Sequence, residues 1–368
     1  MKVGVVTFHN AHNYGASLQT WALQKVLKNL GMEPGVIHYH PDSIDRLYLP
    51  PKQNTMKKKM KYALQKKYRN RVKDQVYKYH KYTKFIHDNF NLIGDFSTYD
   101  ELQNANLGLD AYVTGSDQVW NSDHTKGFDP AYMLDFAEEG KLKFSYAASV
   151  GREHILPQYR ENFRNSLKSY TSIAVREASA QGGIQELTDT PVNVVLDPTL
   201  LLNREDYEEL KRPGKFDGRY ICVYMMENNK QLIKFANMLS VATGLPIIQR
   251  KPAGIFRNEL GSYYTDTPGE FLSEIENAEY VVTNSFHATV FSLIYEKPFI
   301  SMLHTSTGSR TSDLLKSVGL ESHLLYDVAD FHDMNQFQIK DKEALRARIK
   351  HLQKGSYQYL KEALRIED

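Results

Sequence analysis

Ala278-Glu279-Tyr280-Val281-Val282-Thr283-Asn284-Ser285-Phe286-His287-Ala288-Thr289-Val290-Phe291-Ser292-Leu293-Ile294-Tyr295-Glu296-Lys297-Pro298-Phe299-Ile300 is the stretch that decides the fold. Residues 280–283 are a short, β-rich apolar run, the pattern of a buried strand. Asn284 or Ser285 can then cap a helix, because either side chain accepts from a free N–H of the first turn. Val290, Phe291, Leu293 and Ile294 give that helix an apolar face, Pro298 is expected to stop it, and 299–303 open the next strand. Strand, tight turn, helix, strand is the unit of a parallel α/β sheet, and in such sheets ligands bind beyond the carboxyl ends of the strands. The N–H groups and dipole of a helix N-terminus favour an anion. His287, in the first turn, can donate to a phosphate or act as an acid. The competing reading is that Asn284 and Ser285 only cap and His287 only packs. Polar clusters at other strand ends weigh against it.

With 368 residues, 41% hydrophobic and 24% charged, the chain is long enough for two domains with separate cores. A net charge of +2 gives no argument for nucleic acid. The single cysteine, Cys222, excludes an intramolecular disulfide and argues against a thiolate metal cage, and no metal site is expected. The N-terminus is too short and too β-rich for a signal peptide, and no apolar run approaches membrane-spanning length. A cytoplasmic location is therefore expected. The 24 Tyr, 17 Phe and 2 Trp suit contact with carbohydrate.

Residues 3–8 read as a buried strand, 17–30 as a helix ending at Gly31, and 34–39 as a second strand. The loop between holds His9, His12, Asn13, Tyr14 and Gly15, and reads either as a cleft wall for a hydroxyl-bearing ligand or as a capped turn. Residues 52–84 are strongly basic, with Met60, Leu64, Tyr68, Val72, Val76 and Tyr79 at helical spacing. Such a helix suits an anionic membrane surface or an acidic partner, or docks on the domain by its stripe. No nucleic-acid motif accompanies it. Residues 111–114 form a strand followed by Gly115-Ser116-Asp117-Gln118, where Ser116 or Asp117 can start a helix. Further strands are expected at 144–151, 173–177 and 192–196.

A boundary between 202 and 215, containing Pro213 and Gly214, divides the chain into 1–202, with a basic helical insertion at about 52–90, and 203–368. The second half restarts with a strand at 220–225, a helix at 230–243, a strand at 246–249 and a helix at 268–276. After the opening stretch come a loop with His304 and Arg310, a helix at 311–318, and a C-terminal helix at 341–364 with Asp341 as cap. Two α/β domains with polar strand ends enclose a ligand between them. Arg176 and Arg310 can clamp a carboxylate or phosphate, or form surface ion pairs. Walker, zinc-helix and nucleophile-elbow motifs are missing.

Thr7-Phe8-His9, Asn13-Tyr14-Gly15-Ala16-Ser17-Leu18-Gln19, Gly115-Ser116-Asp117-Gln118-Val119-Trp120-Asn121, Ser145-Tyr146-Ala147-Ala148-Ser149, Val175-Arg176-Glu177, Leu196-Asp197-Pro198-Thr199 and Thr283-Asn284-Ser285-Phe286-His287, in this order, resemble the polysaccharide pyruvyl transferase family. The resemblance runs from residue 1 to about 320. It implies a GT-B-like fold, two Rossmann-like domains facing across a cleft, and transfer of a pyruvyl group from phosphoenolpyruvate to a sugar as a ketal. Many members carry an arginine two residues before the histidine, where this chain has Ser285. Arg310 or Arg176 is expected to supply that charge, with Arg310 preferred. On this reading His287 and Asp117 are catalytic, with His12 as an alternative base. Arg310, Arg176, Asn284, Ser285 and His304 bind the donor. His9, His12, Asn13, Tyr14, Ser116 and Gln118 hold the acceptor. No cofactor is expected beyond the donor substrate. The partners expected are this small-molecule donor and a saccharide acceptor, free or lipid-linked, with peripheral contact at the inner face of the membrane through the basic helix, and no nucleic acid. A nucleotide-sugar glycosyltransferase, a related transferase taking pyruvate to a different acceptor, and a non-catalytic saccharide-binding member are the rivals.

Overall fold

The structure, a computed structural model, describes residues 1–52, 54–251, 255–303 and 308–366. β1 (Lys2–Val6), β2 (Glu33–Tyr39), β3 (Leu92–Phe96), β4 (Ala111–Thr114) and β5 (Leu142–Ser145) form a parallel sheet in the order β3-β2-β1-β4-β5. β6 (Ile173–Val175) and β7 (Val192–Val194) pair with each other and extend that sheet through isolated bridges from Phe144 to Ser172 and from Ala148 to Val175. β8 (Ile221–Tyr224), β9 (Ile247–Gln249), β10 (Glu259–Ser262), β11 (Tyr280–Thr283), β12 (Phe299–Met302) and β13 (Leu324–Leu325) form a second parallel sheet, ordered β10-β9-β8-β11-β12-β13.

The central strands are apolar without alternation because both of their faces are covered, as parallel sheets require. Every residue of β4, β8 and β12 is buried. Each sheet starts at an inner strand, winds to one edge, and crosses back to the other side. The reversal falls between β1 and β4 in the first sheet and between β8 and β11 in the second. Such switch points open crevices beyond the carboxyl ends of their strands. This is the expected architecture of two Rossmann-like domains across a cleft. The C-terminal helix, Lys342–Ala363, is capped by Asp341 and lies back against the first half. Its Tyr359 hydroxyl donates to the Ser145 carbonyl at 2.7 Å, and Ser356 Oγ accepts from the Leu196 N–H at 3.0 Å.

Several local expectations are corrected. The first helix begins at Tyr14, three residues early, because the Asn13 side chain accepts from the Gly15 N–H at 2.9 Å. No helix starts at Ser116 or Asp117. Asp117 takes a left-handed conformation, φ 80°, and the next helical turn waits until Ser122–Thr125. The basic segment is two helices, Met56–Leu64 and Lys66–Asn89, broken at Gln65. The helix after β11 ends at Ile294, before Pro298 can stop it. Glu296 closes it in the left-handed region, φ 49°, with the Lys297 N–H donating to Ser292 O at 2.8 Å and the Glu296 N–H to Leu293 O at 3.1 Å.

Candidate active site

The two switch points face one another. Between them lies a cavity of about 540 Å³ lined by Asn13, from the β1 loop, Asp117, Gln118 and Asn121, from the β4 loop, Met226, after β8, and Asn284, Ser285, Phe286 and His287, after β11. Arg152, His124 and Arg310 complete the rim. Every one of the four strand ends that the topology singles out contributes to the wall.

The helices Tyr14–Asn29 and Phe286–Ile294 point their N-termini at this space. Ser285 caps the second, its Oγ accepting from the Ala288 N–H at 3.4 Å. Asn284 does not cap. Its Oδ1 accepts from the Met226 N–H at 2.7 Å and fixes the loop after β8. The two helices approach so closely that a Cβ on Gly15 would fall 2.1 Å from His287 Nδ1. Glycine at 15 is thus a steric requirement of the histidine across the cleft, although the two lie 272 positions apart in the chain.

The other side of the His287 ring meets Asp197. Nε2 stands 3.5 Å from Oδ2, an ion-pair separation longer than a hydrogen bond, and forms no hydrogen bond of its own. Asp197 is buried and accepts from Ser116 Oγ at 2.8 Å, Arg176 Nη1 at 3.0 Å and Thr199 Oγ1 at 2.5 Å. Burial alone would raise its pKa, but His287, Arg176 and Thr199 hold the carboxyl far below its usual range. It is an obligate anion beneath the imidazole, suited to orient the ring and to stabilise it when protonated.

Arg176 is sealed under the cleft between Asp197 and Glu177, whose Oε2 lies 3.8 Å from Nε. Its guanidinium carbon sits 4.6 Å from the Phe286 ring centroid, and that of Arg310 sits 5.8 Å from the same ring. Burial and the facing Arg176 push Arg310 down to about 10, so it remains a cation at neutral pH. Two guanidiniums line the cavity, Arg310 and Arg152, the second ion-paired with Asp123.

Of the sequence-predicted residues, the cavity brings together His287, Asp117, Asn284, Ser285, Arg310, Asn13 and Gln118. Arg176 and Ser116 lie beneath it, spent on Asp197. Tyr14 is buried in an aromatic cluster and donates to the Tyr263 carbonyl at 2.7 Å, so it does not face the cavity. His9 is wholly buried against His38 at 2.8 Å, where burial and that neighbour push its imidazole down to about 3. His12 is buried in a ring stack on Tyr82 and pushed down to about 4 by burial and Lys78. His304 lies outside the described residues. His38, His40 and Asp95 have potential ligand atoms within 4.8 Å of one another, but this group is not part of the cavity lining.

A two-domain cleft with a histidine, a buried acid and an arginine near facing helix N-termini defines an α/β protein whose cleft can receive an anionic or polyhydroxylated ligand. The family described as polysaccharide pyruvyl transferase matches residues 13–306, and the chain belongs to that family. Among curated proteins none matches it in sequence. Among solved structures, one assigned as a UDP-N-acetylglucosamine 2-epimerase from Listeria monocytogenes is 9% identical, with TM-score 0.55 over 100% of this chain and 97% of that one. An O-GlcNAc transferase mutant from Thermobaculum terrenum is 12% identical, with TM-score 0.49 over 99% of this chain and 67% of that one. An S. aureus MnaA–UDP co-structure is 12% identical, with TM-score 0.47 over 100% and 97%. These likenesses concern the fold.

Proposed function

We propose that the cleft transfers a pyruvyl group from phosphoenolpyruvate to a saccharide, forming a ketal across two hydroxyls. The observation that carries this is His287, held between the Asp197 carboxylate and Gly15 at a helix N-terminus, with Arg310 on the same wall. The donor's phosphate and carboxylate lie against Arg310 and the N–H groups of the two helices. His287 gives its proton to the methylene carbon of the enol, which becomes a methyl group. The adjacent carbon, now electron-poor, accepts one sugar hydroxyl. The second hydroxyl then displaces phosphate. The two hydroxyl protons leave to Asp117 and to the departing phosphate. Asp197 stabilises the imidazolium before transfer and keeps the ring in place after it.

Asp117 is strained into this role, since a left-handed aspartate costs about 1 kcal/mol or more and persists only where its surroundings hold it. The Ser149 N–H does so, donating to the Asp117 carbonyl at 2.9 Å. Peripheral attachment to an anionic membrane belongs to the same reading. The helix Met56–Leu64 buries no residue, and it exposes Met56, Met60 and Leu64 among lysines at 75%, 55% and 78%. No described helix is long and apolar enough to cross a membrane.

The test is phosphate release from phosphoenolpyruvate in the presence of candidate saccharides. Acceptor-dependent release that falls at least ~10²-fold in His287→Ala supports the assignment. Binding of UDP with no donor consumption would transfer the chain to the nucleotide-sugar reading.

A further inference from the structure

Beside the cleft, a buried lysine and a half-buried arginine have no counter-ion among the described residues. Lys78, on the inner face of the helix Lys66–Asn89, is 7% exposed, with Nζ 4.7 Å from the Tyr264 ring and 5.2 Å from that of Tyr82. Arg250 follows β9, its guanidinium carbon 5.3 Å from the Tyr224 ring and 5.8 Å from that of Tyr14. Neither makes a hydrogen bond or ion pair with a described residue, and Arg250 Nε is sealed and unbonded. The nearby carboxylates are committed elsewhere: Glu270 to Lys81 at 2.6 Å, and Asp266 to Lys215. The same patch holds the Tyr82 and Tyr224 hydroxyls and both amide atoms of Gln249, all buried and unbonded. Buried polar groups are nearly always satisfied. Lys78 and Arg250 have no hydrogen-bond acceptor among the described residues and stand beside hydroxyl and amide groups that can also donate, so an acceptor-rich anion supplies what they lack.

We infer that Lys78 and Arg250 form a second anion site, taking the phosphate or pyrophosphate on which the acceptor saccharide is carried. This rests on reading the cleft as the reaction centre. Its position supports the role. Tyr224 ends β8, two residues before Met226 of the cavity wall, and Tyr14, whose ring Arg250 faces at 5.8 Å, directly follows Asn13 of the same wall. A sugar in the cavity therefore has its phosphate within reach of the pair. Cationic side chains with hydroxyl and amide donors match phosphate oxygens, and a pair of cations matches a diphosphate better than a monoanion. The helix bearing Lys78 directly follows the exposed basic helix with the apolar stripe, as a lipid carrier would require. A nucleotide carrier offers the same diphosphate chemistry.

The experiment is calorimetric titration of the full chain with inorganic pyrophosphate, repeated with Lys78→Met, Arg250→Met and Arg310→Met. The expected result is saturable binding, weakened about tenfold or more by each of the first two changes and little by the third. Absence of binding up to about 10 mM, or a loss confined to Arg310→Met, overturns the site. Phosphoenolpyruvate is titrated in parallel. If it fails to bind while pyrophosphate binds through Lys78 and Arg250, the donor reading falls and the anion site stands. Competition with UDP and with farnesyl pyrophosphate identifies the carrier, the better competitor naming its class. Failure of both to displace pyrophosphate overturns the carrier role. Ligand-free melting guards against a merely structural lysine: Lys78→Met should melt no lower than the parent, and a lower melting temperature with pyrophosphate binding retained rejects the proposal.

Discussion

Two groups of cations flank the cleft of this molecule, and they are built on opposite principles. Under the cleft, Arg176 and His287 share Asp197, and Arg176 has Glu177 as well. Beside the cleft, Lys78 lies against Tyr82 and Tyr264 and Arg250 against Tyr14 and Tyr224, with no ion pair to a described residue. Desolvating a charge is costly in either case, but a paired charge recovers most of it from its partner. The first group is complete in the free protein and therefore positions something. The second is incomplete and therefore awaits something. Removing an anion should damage the first; removing a cation should relieve the second.

The largest effect is expected from Asp197→Asn. It leaves the shape intact but strands Arg176 and weakens the hold on His287. Breaking a buried pair in this way costs about 3–5 kcal/mol, readable from urea denaturation. A loss under about 1 kcal/mol would mean that the network is not charge-balanced as described. Gly15→Ala comes next. Its methyl group would occupy the imidazole's position, 2.1 Å from Nδ1. Displacing the ring by about 1 Å should lower turnover about 10²-fold, with a stability loss of about 1–3 kcal/mol from overpacking. A variant with normal turnover would place the chemistry away from His287. Arg310→Met should be milder and of a different kind, raising the KM for phosphoenolpyruvate about tenfold through loss of one charge-assisted contact. A fall in turnover at unchanged KM would move Arg310 from binding to the reacting centre.

How much of this was legible in the sequence depended on whether the signal was local. The opening stretch yielded its strand, its capped helix and His287 in the first turn, because capping chemistry and apolar periodicity act over a few residues. The two-domain architecture followed from repeating that unit. Several acceptor-side candidates went elsewhere because residue type does not report direction. Tyr14 and His9 follow a buried strand and sit in a polar loop, yet both side chains turn into the core. Asp197, the carboxylate that organises His287, enters the sequence reading only within Leu196-Asp197-Pro198-Thr199, with no role of its own. An acid directly after a buried apolar run was its one local signal. The pairing of Gly15 with His287 had none, since helix packing across a cleft joins residues hundreds of positions apart. Lys78 is one lysine among many in the basic segment 52–84, and only burial distinguishes it from its neighbours.

The smallest effect is the most diagnostic of the contrast. Burial and Arg250 push Lys78 down to about 7, whereas an unfolded lysine titrates at about 10.4. Between these values the unfolded chain carries a proton that the folded chain has released. Stability contributed by this group therefore rises with pH across that window and is lowest below it, where the amine is charged in both states. Of the groups facing it, Arg250 stays charged, His12 is held neutral at about 4, burial carries the Tyr82 hydroxyl well above its usual range, and Tyr264 is common to both proteins, so its contribution cancels in the comparison. Relative to Lys78→Met, the parent should gain on the order of 1–3 kcal/mol between about pH 7 and pH 10, measured by denaturant melts of both proteins at each pH. A bound pyrophosphate supplies the missing counter-charge, so saturating pyrophosphate should return the proton to Lys78 and flatten that difference. A slope that persists unchanged with pyrophosphate bound would put the anion somewhere other than beside Lys78, and the two cation groups would then differ in burial alone.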